Sequence, residues 1–158
     1  MPPASPAAHS SAPGAQRWTV LYDADCGFCK WALARLLRRD RASRLRPLAL
    51  QSAAADALLA GLTLEERMAS WHLVSPDGVR SSAGEALAPA LRLLPGGRMP
   101  AAVLARVPAL TERAYRWVAD HRSELSRWVP AASRRRASDY VRARERGLGA
   151  DANQCGSE

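Results

Sequence analysis

Trp18-Thr19-Val20-Leu21-Tyr22-Asp23-Ala24-Asp25-Cys26-Gly27-Phe28-Cys29 is the stretch on which the reading of the fold turns. Its first five residues are short, β-branched and aromatic, the signature of a strand ending at Tyr22. Beyond it Cys29, Leu33, Leu36 and Leu37 recur at helical spacing with Ala32 beside them, while Arg35, Arg38 and Arg39 fall off that stripe. The period predicts a helix over about Gly27 to Arg39. Both cysteines therefore stand where a strand ends and a helix begins.

That position matters more than the spacing. A thiol at a helix N-terminus faces unpaired backbone N–H groups and the positive end of the helix dipole. Both favour the thiolate, which is the nucleophile. Two intervening residues let the second sulfur fold back onto the first within one turn. A mixed disulfide formed at Cys26 can then be resolved by Cys29, which falls on the apolar stripe of the helix. The competing readings are a metal knuckle and inert core cysteines. Zinc needs about four ligands, and the chain has no second C-x-x-C. His72 and His121 stand alone, and Cys155 lies near the end of the chain. Redox chemistry is the favoured reading, with no metal and no nucleotide cofactor expected.

Outward from this junction the pattern alternates. Arg44–Leu50 reads as a second strand, which Pro47 demotes to an edge or to a late start. Ser52 is placed to cap an Ala/Leu helix ending near Gly61. Thr63 and Glu66 form a capping box, and so do Ser82 and Glu85. Ser70–Val74 and Val79–Ser81 flank Ser75-Pro76-Asp77-Gly78, a turn that makes a hairpin. Leu87, Ala90, Leu91 and Leu94 continue a helical stripe that Pro89 interrupts. A last helix is expected over about Ala109 to Trp128, on Leu110, Ala114, Trp117, Val118, His121 and Leu125. A strand–helix–strand unit implies a parallel pair with a right-handed crossover, and the hairpin adds antiparallel strands. The expected fold is α/β: a small mixed sheet flanked by helices, the thioredoxin-like architecture, with additional C-terminal helices.

The ends differ in character from the middle. Residues 1–16 are Pro, Ala, Ser and Gly in the main, with no Lys or Arg and no sustained apolar run. They read as a disordered tail and not as a secretory signal. Residues 131–158 are a basic stretch, read as partly helical or disordered. Ser133–Arg146 is its candidate helix, with few apolar anchors and so expected to dock loosely. The folded domain is then about 17–130. A chain of 158 residues, 47% hydrophobic, supports one core without disulfide staples. No run reaches the ~20 apolar residues of a membrane helix, so no membrane partner is expected. The net charge is +8, yet every one of the 23 basic residues except Lys30 is Arg, and they are scattered. That skew reads as compositional bias, and nucleic acid is not the expected partner.

The quoted stretch resembles the DCC family of thiol-disulfide oxidoreductases, named for a D-x-x-C-x-x-C motif that here is Asp23, Cys26 and Cys29. Leu36-Leu37-Arg38-Arg39-Asp40 is similar to the family's helix end, and Leu48–Ser52 (LALQS) to its post-strand Q-S element. Ala114–Arg122 is similar to its Y-x-x-x-A-x-x-R helix. The resemblance covers about 17–128. It implies a thioredoxin-like fold and dithiol–disulfide exchange, with Cys26 and Cys29 as the redox pair. Two features depart from the pattern. Ala24 stands where the family usually has Gly, and Ala disfavours positive φ. Glu65–Ala69, ahead of the third strand, contains no proline of the kind that faces the cysteines in thioredoxin relatives.

The flanking residues each carry two readings. Asp23 and Asp25 would cap helix N–H groups, and as charges they would oppose the Cys26 thiolate. Asp23 is also a candidate for proton transfer in a supporting role. Lys30 reads as a solvated helix residue ahead of a thiolate partner. Trp31 reads as packing ahead of substrate contact, and His72 and His121 as core or boundary residues. Cys155 reads as a free thiol. The expectation is a cytoplasmic thiol-disulfide oxidoreductase acting in the reducing direction. Its substrate would be a disulfide-containing protein or a small thiol compound, and its electrons would come from an unidentified donor. The alternatives are a thioredoxin-like binding module with structural cysteines and a zinc-stabilised interaction domain.

Overall fold

The computed structural model describes residues 17–154, so the expectations for residues 1–16 and for Cys155 lie outside the described residues. Trp18–Tyr22 is strand β1, and its alternation sets two layers. Val20 and Tyr22 enter one apolar cluster and Leu21 enters another, as the two-residue period of a strand requires. The chain passes through Asp23–Cys26 into helix α1, Gly27–Arg39, which buries Leu33, Ala34 and Leu37. It returns as β2, Leu45–Ala49, parallel to β1 with Trp18 opposite Leu45 and Tyr22 opposite Ala49. β3 (His72–Val74) pairs antiparallel with β1, and β4 (Arg80–Ser82) antiparallel with β3. The order is β2-β1-β3-β4. Pro47 thus lies on an edge strand, where a missing N–H is tolerated. In the hairpin turn Gly78 N–H donates to Ser75 O at 3.0 Å, with Gly78 at φ 86 in the left-handed region.

Between β2 and β3 lie α2 (Ala53–Leu58) and α3 (Leu64–Ala69). The capping box at α3 forms as expected, with Thr63 Oγ1 accepting the Glu66 N–H and Glu66 Oε2 accepting the Thr63 N–H. Ser52 holds the N-cap position of α2 but does not cap it. Its hydroxyl donates back to Ala49 O at 2.7 Å and closes the turn out of β2. The second expected capping box is also absent. Ser82 pairs with His72 across the hairpin, and its hydroxyl bonds His72 Nδ1 at 2.7 Å. Ala83–Ala86 consequently starts as an uncapped 3-10 turn.

α4 (Leu87–Arg92) tolerates Pro89 because it falls in the first turn, where the N–H has no helical partner. α5 (Arg98–Arg106) lies between the Leu94 stripe and Ala109, in a stretch to which the sequence reading assigned no element. The single helix expected over Ala109–Trp128 is two: α6 (Pro108–Asp120) and α7 (Arg122–Trp128). The break is at His121, whose Nδ1–H donates to Trp117 O at 2.7 Å. The packed face of α6 also differs. Leu110 and Trp117 are mostly exposed, and Thr111 is the buried position.

The largest correction concerns the C-terminus. Ala131–Gln154 is one helix, α8, and it is not loosely docked. Ala137 and Val141 are buried in the main cluster beside Leu33, Leu37 and Leu45. Glu145 accepts the Tyr22 hydroxyl at 3.0 Å and the Ala49 N–H at 2.9 Å. The assembly is a mixed sheet with α1, α4 and α8 built onto the Val20/Tyr22 cluster and α2 onto the Leu21 cluster. This α/β architecture is consistent with a thioredoxin-like fold.

Candidate redox site

Cys26 is the N-cap of α1, and the two cysteines form a disulfide with their Cα atoms 5.2 Å apart. Cys26 has extended backbone, and its carbonyl accepts the Lys30 N–H at 3.1 Å, the first bond of the helix. Its Sγ accepts the Cys29 N–H at 3.1 Å. An N-cap side chain normally supplies an oxygen to one of the orphan N–H groups of the first turn. Here a sulfur takes that place. Asp23 and Asp25, expected as caps, do not bond helix N–H groups.

The two carboxylates hold the loop instead. Asp23 Oδ1 accepts the Asp25 N–H at 2.9 Å, and Asp23 O accepts the Cys26 N–H at 3.4 Å. Gln51 spans both: its Nε2 donates to Asp23 Oδ1 at 2.8 Å and to Asp25 Oδ2 at 3.3 Å. Its Oε1 accepts the Ala24 N–H at 3.2 Å. The parallel register explains this reach. Tyr22 and Ala49 are opposite, and Leu50 N–H donates to Tyr22 O at 2.9 Å. The residue after Leu50 therefore lands beside the loop that follows Tyr22. Ala24 sits at ordinary negative φ, because the positive-φ non-glycine residues described are Ser43 and Ala83. The missing glycine is accommodated without strain.

A cavity of about 260 Å³ lies beside Cys29. α1 contributes Phe28 and Cys29 to its wall, the approach to β3 contributes Trp71, and the far side is Tyr115, Ala119 and Arg122. Cys26 lies outside that wall. Tyr115 Oη accepts the Trp71 N–H at 3.1 Å, and burial raises its pKa, so the phenol stays protonated. Tyr22, also on the wall, is likewise raised by burial and by Glu145 beside it. Tyr115, Ala119 and Arg122 are spaced so that one helical face carries all three across the α6–α7 break. Sequence reasoning quoted them as part of a family-like helix and did not assign them to the site. Trp71 and Phe28 carried no signal of that kind.

The other residues singled out lie apart. Trp31 packs against the main cluster and stacks on Phe28, with the Arg35 guanidinium 4.2 Å above its ring. Lys30 is partly exposed on α1. His72 is buried in β3, where it bonds Ser82 of the neighbouring β4, and His121 stacks on Trp117. No group of three or more His, Cys, Asp or Glu side chains is placed to hold a metal among the described residues. No helix among them is long and apolar enough to cross a membrane.

Comparison with curated proteins and with solved structures returned no match. Comparison with protein families matched residues 20–128 to the family described as DCC1-like thiol-disulfide oxidoreductase. That span runs from β1 to the end of α7, and takes in both cysteines, Gln51 and the cavity wall. On a match over more than half its length, the chain belongs to the DCC1-like thiol-disulfide oxidoreductase family.

Proposed function

We propose that the protein reduces disulfides by dithiol exchange, with Cys26 as nucleophile and Cys29 as resolving thiol. One observation carries the assignment of roles: Cys26 Sγ sits at the N-cap of α1 and accepts the Cys29 N–H. In the reduced pair the same N–H and the helix dipole favour a thiolate at Cys26 over one at Cys29. Asp25, close by in sequence, opposes that ionisation by its charge. Gln51 and the Asp23 backbone fix the approach of the loop, so Asp23 acts as a positioning residue.

The exchange balances in two steps. The Cys26 thiolate attacks one sulfur of the substrate disulfide, that S–S bond breaks, and one substrate thiolate leaves to take a proton from water. Cys29 then gives up its proton, and its sulfur attacks Cys26 Sγ. The mixed disulfide breaks and the second substrate thiol departs. Two electrons have passed to the substrate, and the chain holds the Cys26–Cys29 disulfide. An external dithiol or low-molecular-weight thiol restores the reduced pair. Such a cycle runs in a reducing compartment, which favours a cytoplasmic setting.

Trapping tests the roles. Cys29→Ser is expected to accumulate a mixed disulfide at Cys26 when incubated with a disulfide substrate, seen as a stable mass increase. Cys26→Ser is expected to accumulate none. Trapping through Cys29 in Cys26→Ser and none in Cys29→Ser would reverse the assignment.

A further inference from the structure

The cavity beside Cys29 differs from a general protein-docking surface. Its wall is mostly apolar: of the residues with polar groups there, Tyr22 is bonded to Glu145 and the Trp71 indole to Ala83 O, which leaves Tyr115 and Arg122. Arg122 is the single charged side chain in that wall among the described residues, and the ion pairs found there do not include it. A half-buried guanidinium without a carboxylate is an anion site in waiting, since charge-assisted bonds strengthen as water is excluded. An apolar cavity of roughly 150 Å³ admits a benzene ring. This one, at about 260 Å³, takes a ring with a short substituent.

We propose that the cavity binds the organic half of a small disulfide, an apolar ring-sized body with one carboxylate, the carboxylate on Arg122 and the sulfur toward the Cys26–Cys29 pair. The proposal rests on the exchange chemistry above and adds the class of substrate. Geometry favours it at the resolving step. In the mixed disulfide the organic group hangs from Cys26 Sγ, and with that group in the cavity its bond to Cys26 lies beside Cys29. Attack by Cys29 then expels the substrate thiolate from the cavity. Electrons and protons balance as in the two steps already given. Arg122 reaches this wall as the first residue of α7, on the helical face it shares with Tyr115 and Ala119.

The test uses the full chain, reduced, against two aryl disulfides: anionic dithiobis(nitrobenzoate) and neutral dithiodipyridine. Stopped-flow absorbance gives the oxidation rate with each, and the readout is their ratio. Arg122→Gln is expected to lower the anionic-to-neutral ratio about tenfold, the size of one charge-assisted bond. Arg136→Gln removes an equal charge from the exposed face of α8 and is expected to leave the ratio unchanged. Ala119→Leu, which fills the cavity, is expected to slow both reactions. Independently, the oxidised chain is expected to bind phenylbutyrate saturably, read by tryptophan fluorescence through Trp71, and Arg122→Gln to weaken that binding. An unchanged ratio in Arg122→Gln, an equal fall in Arg136→Gln, or no phenylbutyrate binding overturns the assignment of the cavity. Phenylbutyrate binding without oxidation by either disulfide overturns the exchange chemistry, and with it the disulfide half of the proposal.

Discussion

Gln51 is exposed, yet its amide takes the Ala24 N–H and donates to Asp23 and Asp25, the two carboxylates ahead of Cys26. Removing it leaves the loop tied only by its own short-range bonds. Gln51→Ala is therefore expected to slow exchange by about tenfold through misplacement of Cys26, with little change in fold. Asp23→Asn keeps an oxygen at Oδ1 for both of its hydrogen bonds. It is expected to preserve the rate and the pH profile of exchange measured with a fixed disulfide. A shifted profile would make Asp23 a proton carrier and not a positioning residue. His72 sets a separate pH dependence, of stability. The ring is about 1% exposed, its Nε2–H donates to Arg67 O at 3.0 Å, and Nδ1 accepts from Ser82. Burial, with Arg80 and Arg67 nearby, lowers its pKa below the usual 6.5. The unfolded chain then binds the extra proton first, so stability is full above 6.5 and falls as pH drops below it. Thermal unfolding between pH 7.5 and pH 5 should show that fall, and His72→Gln should flatten it.

At the scale of elements, Asp40 joins three of them. It ends α1, its Oδ1 accepts the Arg44 N–H and its Oδ2 the Leu45 N–H at the start of β2. Arg144 of α8 reaches Oδ2 at 3.4 Å and Ser43 Oγ at 3.0 Å. The Asp40 side chain is about 1% exposed. Asp40→Ala leaves the buried Leu45 N–H and the part-buried Arg44 N–H without their acceptor and takes the carboxylate away from Arg144, a loss of about 3 kcal/mol. Urea unfolding should show a lower midpoint at unchanged slope. A loss under 1 kcal/mol would mean that α8 docks without this clasp. β1, α1 and the hairpin were legible because each announces its period within one short window: four β-branched or aromatic residues in a run of five, a leucine stripe, and a Pro-Asp-Gly turn. The firm docking of α8 was not, although a helix over Ser133–Arg146 was, because only Ala137, Tyr140 and Val141 mark its buried side amid charged residues. The α6–α7 break was hidden for another reason. It depends on a ring-to-carbonyl bond at His121, and the helical period continues through it. Within the site the cysteines were legible from position alone. The cavity was not, because Trp71, Tyr115 and Arg122 meet Cys29 only after the helices pack.

Across the whole molecule, the carboxyl ends of the parallel strands β1 and β2 lie side by side, and the two loops that leave them build the site. Ligand sites of open α/β sheets lie outside strand carboxyl ends for this reason. One apolar cluster on each side of the sheet fixes the strands, α8 closes the cluster that carries Tyr22, and α6 with α7 supplies the cavity's far wall. The disulfide thus sits between a rigid loop and an apolar cavity, with one sulfur at a helix N-terminus. The central claim is that these two cysteines are a working redox couple. It is tested most directly by equilibrating the metal-free chain in defined thiol/disulfide buffers, trapping free thiols by alkylation, and counting them by mass. The account predicts a reversible two-electron transition of the Cys26–Cys29 pair in the folded chain, lost in both Cys26→Ser and Cys29→Ser. A pair that shows no transition, or that alkylates only after the chain unfolds, would contradict it.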